Sequence, residues 1–292
     1  MKKRKILLKI IPIVILVIIL AITITLISLM VYSSNHQAKE IVSEEVNHET
    51  VTMKIDSNTP NASLSSAKEC VGRAYYKTLT SDFIVNTSGK TKANTFISTS
   101  LDIKCKKIKI GNEYEVLTIS KGIVSFGKLK HFNSSNLYEY LYTDVINENF
   151  TCDFTNKSKV VSDNKKYLEE YGTYPSSFTN YVINDDTYLK EPTKTINEDS
   201  TITIDISLKP EANYGPYFYR NEIKTSSGTS SYPYFKSIDL KVTIDNDYKV
   251  LSVLTKESYI VNKIINVYTE TEVLDTFSYE DVSFDSDLDL LN

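Results

Sequence analysis

The sequence predicts an α+β protein in which a helix covers one face of an antiparallel sheet, preceded by a single transmembrane helix. Three observations predict this class: an uncharged apolar stretch near the N-terminus, a capped amphipathic helix after residue 66, and alternating apolar and polar residues in the final third of the chain. Alternation with a period of two is typical of strands that bury one face and leave the other in water. Such a sheet needs a helical layer to cover its apolar face.

The apolar stretch at residues 10–32 contains 23 residues and no charge. A helix of roughly that length crosses the ~30 Å hydrocarbon core of a bilayer. Five basic residues and no acidic residue occupy the first nine positions, which favours a cytoplasmic N-terminus. We therefore predict an uncleaved single-pass anchor in the cell membrane with the remaining chain extracytoplasmic. Cleavage of this stretch as a signal peptide, near Val31-Tyr32-Ser33, is the alternative.

This reading divides the chain into five parts. They are a cytoplasmic basic segment (1–9), a transmembrane helix (10–32), a polar stalk (33–58), an extracytoplasmic α+β domain (59–280) and an acidic tail (281–292).

A helix is predicted at residues 67–79. Ser66 and Glu69 have the spacing of a capping box, in which each side chain binds a backbone N–H at the start of a helix. Ala67, Cys70 and Ala74 then fall on one helical face, which we expect to pack on the sheet.

The region after this helix is rich in predicted strands. Residues 107–110 and 113–120 read as two strands separated by a turn at Gly111-Asn112. Further apolar or aromatic runs lie at 122–126 and 136–146. Residues 151–163 read as a loop, and 163–171 as a short helix that Gly172 ends.

The final third predicts an antiparallel meander of five strands. The residue runs are 201–208, 217–225, 238–244, 248–260 and 264–279. The alternation predicts that Ile204 and Val242 are buried. Asp245-Asn246-Asp247 is interpreted as the turn of a hairpin.

A strand meander preceded by an N-terminal helix and an export segment resembles the bacterial lipoprotein-carrier and lipid-binding proteins of the LolA/LppX type. The resemblance covers about residues 67–279 and is one of element order. It implies a curved antiparallel sheet, an incomplete barrel, that wraps helices and holds acyl chains. It also implies ligand or partner binding rather than catalysis, and it assigns no residue a role.

The residues do not point to a catalytic centre. His131 is the only histidine outside the stalk, and we interpret it as an ordinary surface or loop residue. The sequence lacks nucleotide-binding, phosphate-loop and zinc-protease motifs, so we predict a protein that is not an enzyme and needs no cofactor or metal. Asp285, Asp287 and Asp289 have the opening spacing of a calcium loop but lack its glycine, so we interpret them as a solvated acidic tail. The three cysteines (Cys70, Cys105, Cys152) are interpreted as buried apolar residues, with one disulfide as the alternative.

Charge and aromatic residues bear on the partner. Five of the 33 basic residues lie in the first nine positions, so 28 basic residues face 37 acidic ones in the rest, a net charge of −9. Such a charge disfavours nucleic acid, and anionic headgroups as general partners. A cluster of aromatic residues is either sheet packing or one wall of a ligand or partner site. The candidate site residues are Tyr214, Tyr217, Tyr219, Tyr232, Tyr234 and Phe235.

We therefore predict a membrane-anchored, extracytoplasmic binding protein of a bacterial envelope, whose ligand is a lipid or another envelope protein. The alternative is a regulatory or sensory ectodomain that acts through a membrane partner. An envelope hydrolase is a third and weaker reading.

Overall fold

The computed structural model describes residues 22–28, 66–95, 98–121, 126–132, 136–142, 158–163, 178–227, 229, 231–262 and 266–284. Residues 22–28 are helical (α1) and form a part of the predicted transmembrane helix. The rest of that stretch, the predicted stalk, the predicted helix after residue 163 and the last eight residues lie outside the described residues. Within the described ranges, no helix is long and apolar enough to cross a membrane.

The predicted amphipathic helix is confirmed as α2, which spans Ala67–Thr80. The backbone N–H of Glu69 donates to Ser66 Oγ at 3.1 Å, and the Ser66 N–H donates to Glu69 Oε2 at 2.7 Å. These two bonds complete the capping box that the sequence predicts. The face with Cys70, Val71 and Ala74 is buried, and α2 contacts the strand at Val250–Asn262.

All strands of the described chain belong to one antiparallel sheet. Its eleven strands lie in the order β6-β5-β4-β3-β2-β1-β11-β10-β9-β8-β7. Their bounds are β1 Phe83–Asn94, β2 Ser98–Ile110, β3 Glu113–Lys121, β4 Phe126–Phe132, β5 Asn136–Tyr142, β6 Ser158–Asp163, β7 Thr193–Ile196, β8 Ile202–Ser207, β9 Tyr234–Ile244, β10 Val250–Asn262 and β11 Asn266–Ser278.

The sheet consists of two meanders joined in the middle. One runs from β1 outward to β6, the other from β7 inward to β11, and the pairing of β1 with β11 connects them. Gly89 lies at this junction, opposite Val273. A Cβ on Gly89 would lie 2.4 Å from a methyl carbon of Val273, so the two strands meet at a point where only glycine fits.

The largest correction concerns residues 217–225, for which the sequence analysis predicts a strand. The chain instead forms a helix there, α3, at Tyr219–Ser227. Tyr219 and Ile223 are one helical turn apart and both face the core, so a helical period was present in the sequence. The meander of the final third accordingly has four of the five predicted strands, β8 to β11, together with the short β7.

Other strand predictions hold in part. The strands on either side of Gly111, the β8 alternation and the hairpin turn at Asp245 are confirmed. Gly111 has φ of +56°, as this turn requires. The loop prediction for 151–163 is wrong at β6, which pairs with β5 at the edge of the sheet that the described residues form. His131 lies on β4, and β1 was not predicted at all.

The core lies on one face of the sheet, which we call the inner face. Ile204 and Val242 are fully buried there, as the alternation predicts. The inner face is covered by α2, by α3 and by the segment 178–192, from which Phe178, Tyr181 and Ile183 enter the core. Lys68 of α2 makes ion pairs with Asp185 and Glu191 of that segment at 2.9 and 3.1 Å.

Candidate functional site

A buried carboxyl group lies at the centre of the inner face. Glu257 projects inward from β10 and is 5% exposed. The hydroxyl of Tyr181 donates a hydrogen bond to Glu257 Oε2. The hydroxyl of Tyr219, on α3, donates to Glu257 Oε1 at 3.4 Å. Glu257 thus connects the sheet to two of the three elements that cover it. We call Glu257, Tyr181, Tyr219 and Thr271 the Glu257 cluster.

Thr271 extends the cluster toward the middle of the sheet. It stands opposite Glu257 in the β10–β11 pairing, and its side chain hydrogen-bonds to the Glu257 carboxyl group. On the next strand, Thr91 Oγ1 lies 3.0 Å from Thr271 Oγ1. Hydroxyl groups from four different elements therefore form one continuous hydrogen-bonded group with a single carboxyl.

Burial controls the protonation of this group. Burial raises the pKa of Glu257, and the hydrogen bonds from Tyr181, Tyr219 and Thr271 oppose this effect in part. The resulting pKa is about 7. The pKa values of Tyr181 and Tyr219 are raised well above their usual value, first by burial and then by the charge of Glu257. The two phenols therefore remain protonated, and remain donors, throughout the range in which Glu257 titrates.

Aromatic rings surround the carboxyl group. The Tyr181 ring meets the Tyr219 ring edge-on, with centroids 5.3 Å apart. The centroid of the Phe235 ring lies 6.1 Å from that of Tyr219 and 5.2 Å from that of Tyr259. The cluster is thus a polar group within an apolar, aromatic wall.

Beyond Thr271, the inner face carries a row of polar side chains across four strands. The strand pairings align Asp275, Thr87, Cys105 and Thr118, on β11, β1, β2 and β3. We call these four residues the polar row. Thr87 Oγ1 donates to Asp275 Oδ1 at 2.5 Å, and Thr118 Oγ1 donates to Cys105 Sγ at 3.7 Å.

A lysine borders the polar row. Lys107 lies next to Cys105 on the inner face of β2, with its ammonium group 5.6 Å from the centre of the Phe83 ring. Burial lowers the pKa of Lys107, and the charge of Asp275 opposes this effect. Burial likewise raises the pKa of Asp275, which the Thr87 hydrogen bond and Lys107 oppose. Half-buried groups of both signs therefore lie close together here.

The inner face thus changes character along the sheet. Over β8 to β10 it is mostly an apolar core, which continues onto Phe277 of β11 and onto Phe83 and Val85 of β1. The other inward positions of β11 to β3 include hydroxyl, thiol, carboxylate and ammonium groups. The Glu257 cluster lies at the boundary between the two regions. Chemically, the half-buried polar part and the apolar side chains beside it can contact a molecule that is apolar at one end and polar at the other.

The opposite, outer face carries a separate depression of about 720 Å³ over β1, β10 and β11. Charged side chains such as Lys90, Lys256 and Glu272 line it, and Leu254 and Leu274 lie between them. Lys256 and Glu272 pair at 3.2 Å with both side chains more than half exposed. This depression is open and its charged groups are solvated, so it is a weaker candidate for a ligand site than the inner face.

The predicted aromatic cluster divides into two groups. Tyr219 and Phe235 come together in the wall around Glu257. The other four lie outside that wall, each beside a basic side chain: Tyr214 by Lys209, Tyr217 and Tyr232 by Arg220, and Tyr234 by Lys236.

Sequence reasoning missed Glu257, Tyr181, Thr271 and the polar row. One signal was present: Glu257 occupies an inward position of β10, between Thr255 and the buried Tyr259. A charged residue at such a position is unusual, because an unpaired charge there is heavily penalised. Tyr181 gave no comparable signal, since it lies in a segment of irregular structure.

The described residues bear on two alternatives from the sequence, a metal site and a disulfide. Across the described ranges, no three His, Cys, Asp or Glu side chains are grouped so that they could hold a metal ion. The carboxylate of Asp245 accepts the N–H groups of Asp247 and Lys249 at 2.9 and 2.8 Å, as a turn residue does. Cys70 and Cys105 are free thiols.

No protein-family model matches the chain. No curated protein sequence matches it either. Among solved structures, the chain is similar to the crystal structure of a DUF1329 family protein from Desulfovibrio piger, with 10% sequence identity. The match covers 75% of this chain and 92% of that chain, with a TM-score of 0.27. A likeness at this level carries no argument about fold or function.

Proposed function

We propose that this protein is a non-catalytic, membrane-anchored binding protein of a bacterial envelope that holds an amphipathic ligand on the inner face of its sheet. The change from apolar core to polar row on that one face supports this proposal most directly. The polar row is only half-buried, so its side chains are not needed to fill the core and can contact a ligand. A polar region beside an apolar one is therefore better explained by binding.

The predicted ligand is a lipid or another envelope protein, and the chemistry of the inner face favours the lipid. An acyl chain suits the half-buried apolar side chains of the inner face, such as Ile103 and Val116. A small polar or ionic headgroup suits Lys107, Asp275 and the hydroxyls beside them. This assignment agrees with the proposed relationship to the LolA/LppX type, whose curved, barrel-like sheet would enclose the ligand.

A catalytic function is less well supported by the same residues. The hydroxyls nearest Glu257 belong to tyrosines whose pKa values are raised, which makes them poor nucleophiles. Burial also raises the pKa of Cys105 to about 11, the reverse of what an activated thiol needs. These shifts suit groups that hold a ligand rather than attack it.

Site-specific photocrosslinking in cells tests the proposal with the full chain. A photoreactive residue at Val116 would probe the inner face, since Val116 pairs with Lys107 on the neighbouring strand. The same residue at Leu117, which is also half-buried, would probe the outer face as a matched control. We expect lipid adducts by mass spectrometry at position 116 and not at 117.

The result also separates the competing readings. Protein adducts at 116 in place of lipid would favour the regulatory ectodomain that acts through a membrane partner. Equal adducts at both positions, or none at either, would contradict an inner-face ligand site.

A further inference from the structure

Tyrosine and basic side chains form a cluster on the surface beside α3, which we call the tyrosine–cation patch: Tyr217, Arg220, Lys224 and Tyr232. The Arg220 guanidinium lies 4.6 Å from the centre of the Tyr232 ring and 5.4 Å from that of Tyr217. Lys224 Nζ lies 4.1 Å from the same Tyr232 ring. Tyr232 is 38% exposed, so one aromatic ring is held at the surface by two cations.

Helix geometry places both basic residues of α3 in the patch and its one acidic residue outside it. Arg220 and Lys224 are four residues apart and therefore lie on the same side of α3. Glu222 lies between them in sequence but about 200° around the helix from Arg220. Its carboxylate accepts a hydrogen bond from Asn180 Nδ2 at 3.4 Å, on the side of the segment 178–192. The acidic residue of α3 is thus turned away from the patch.

The positive charge of the patch contrasts with the net charge of the chain. Outside the first nine residues the protein carries a net charge of −9. An anionic surface would repel most of this domain and attract it only where basic residues are grouped. Tyrosine and basic side chains are also the combination that is favoured at the boundary between lipid and water, where an aromatic ring has one apolar and one wet side.

We propose that the tyrosine–cation patch rests on the surface of an anionic lipid bilayer and orients the domain on the membrane. The inference rests on the predicted membrane location, but not on the ligand proposed for the inner face. The predicted anchor at residues 10–32 would hold the domain beside a bilayer, which makes that bilayer the anionic surface within reach. Lys236, stacked 4.1 Å from the Tyr234 ring, extends the same chemistry along the start of β9.

The chain contains no tryptophan, which permits a direct test. Tyr232→Trp introduces a single fluorophore into the patch, and Tyr268→Trp introduces one at a tyrosine of similar exposure on β11. The full-length variants are reconstituted in nanodiscs of phosphatidylcholine, with and without phosphatidylglycerol, whose acyl chains are brominated to quench nearby tryptophan. Co-elution of protein with the discs checks the membrane location itself.

We expect quenching and a blue-shifted emission for Tyr232→Trp in the anionic discs, and much weaker effects in the neutral discs and for Tyr268→Trp. Arg220→Gln with Lys224→Gln should abolish the quenching, and added salt should weaken it without any substitution. Equal quenching at both positions, or none at position 232 in anionic discs, would overturn the proposal. Neither result would alter the crosslinking outcome at Val116, so the two proposals fail independently.

Discussion

The hydroxyl group of Tyr181 donates a hydrogen bond to the carboxyl group of Glu257, across 76 residues of sequence and between the two layers of the domain. Tyr181 belongs to the covering segment, and Glu257 belongs to β10 in the sheet. Because Tyr219 of α3 binds the same carboxyl, one titratable group joins two of the three covering elements to the sheet. The stability of this contact must therefore depend on pH.

The first prediction concerns that dependence. The pKa of Glu257 is about 7 in the folded protein, against 4.5 for an unperturbed glutamate, so between these values the folded state binds a proton that the unfolded state has lost. The stability linked to this group is fully present below pH 4.5 and is lost as pH rises through 7. The loss is at most about 3 kcal/mol. Denaturant unfolding at several pH values measures it.

Two variants check the assignment to Glu257. Glu257→Gln should flatten the pH dependence between 4.5 and 7 and raise stability above pH 7, since the amide carries no charge to desolvate. Glu272→Gln, at an exposed position on β11, should leave the dependence intact. An unchanged pH profile in Glu257→Gln would contradict the assignment.

The second prediction concerns the tyrosine that donates a hydrogen bond to Glu257. The hydrogen bond from Tyr181 lowers the pKa of Glu257, so Tyr181→Phe should raise it further and extend the loss of stability to higher pH. In a Glu257→Gln background the same substitution should have no effect on the pH profile, because the titrating group is gone. A similar shift in both backgrounds would show that Tyr181 acts through another residue.

The strands that the sequence predicts best are those with one dry and one wet face. Apolar and polar residues alternate over 202–206 of β8 and 238–244 of β9, and Ile204 and Val242 are fully buried. The sequence does not predict β1, although the strand is central in the sheet. After Val85 its residues are mostly threonine, serine, glycine and lysine, so no apolar residue recurs with a period of two. Long-range pairing with β11 stabilises it, and a local pattern cannot show such pairing.

The third prediction tests the two faces directly. Val242→Lys places an unpaired charge in the core and should cost more than about 4 kcal/mol, or prevent folding. Thr243→Lys, one residue along β9, points to the outer face, where it is half-buried, and should change stability by less than about 1 kcal/mol. Circular dichroism and chemical denaturation compare them. Similar losses in both would mean that the faces are assigned wrongly.

The fourth prediction concerns the junction of the two meanders. A methyl group at position 89 would lie within 3 Å of the side chain of Val273 and of the carbonyl oxygen of Glu272, which belongs to the backbone. Gly89→Ala should therefore separate β1 from β11 and cost about 1–3 kcal/mol. Ser88→Ala, on the exposed face beside it, is the matched control and should be neutral. Equal stability of the two variants would show that the junction can relax.

The candidate site was harder to predict than the fold, for a physical reason. The aromatic residues at 214–235 were visible as a cluster in the sequence, but the helical turn of α3 brings only Tyr219 together with Phe235. The polar row consists of single residues from four strands, each unremarkable in its own sequence context. Its members meet only through the register of the sheet, which depends on long-range pairing such as that of β1 with β11 and is not encoded in a local pattern.

The last prediction uses the two described thiols as reporters of the inner face. Cys70 lies on the buried face of α2, and burial raises its pKa. Cys105 is half-buried in the polar row, and its pKa of about 11 leaves roughly 100-fold less thiolate at pH 8 than an ordinary cysteine has. In a Cys152→Ser background, alkylation should therefore be slow at both sites in the folded protein and fast after denaturation, with Cys105 accelerating as pH rises toward 11.

The same assay bears on the ligand. If an amphipathic molecule occupies the polar row, adding a short-chain phospholipid below its micelle concentration should slow alkylation of Cys105 while leaving Cys70 unchanged. Thr118→Val removes the hydrogen bond that lowers the pKa of Cys105 and should slow the reaction further, without any lipid. Alkylation of Cys105 at the rate of a free thiol at pH 8 would contradict the burial that the polar row implies. Equal protection of both cysteines would indicate global stabilisation rather than binding at the row.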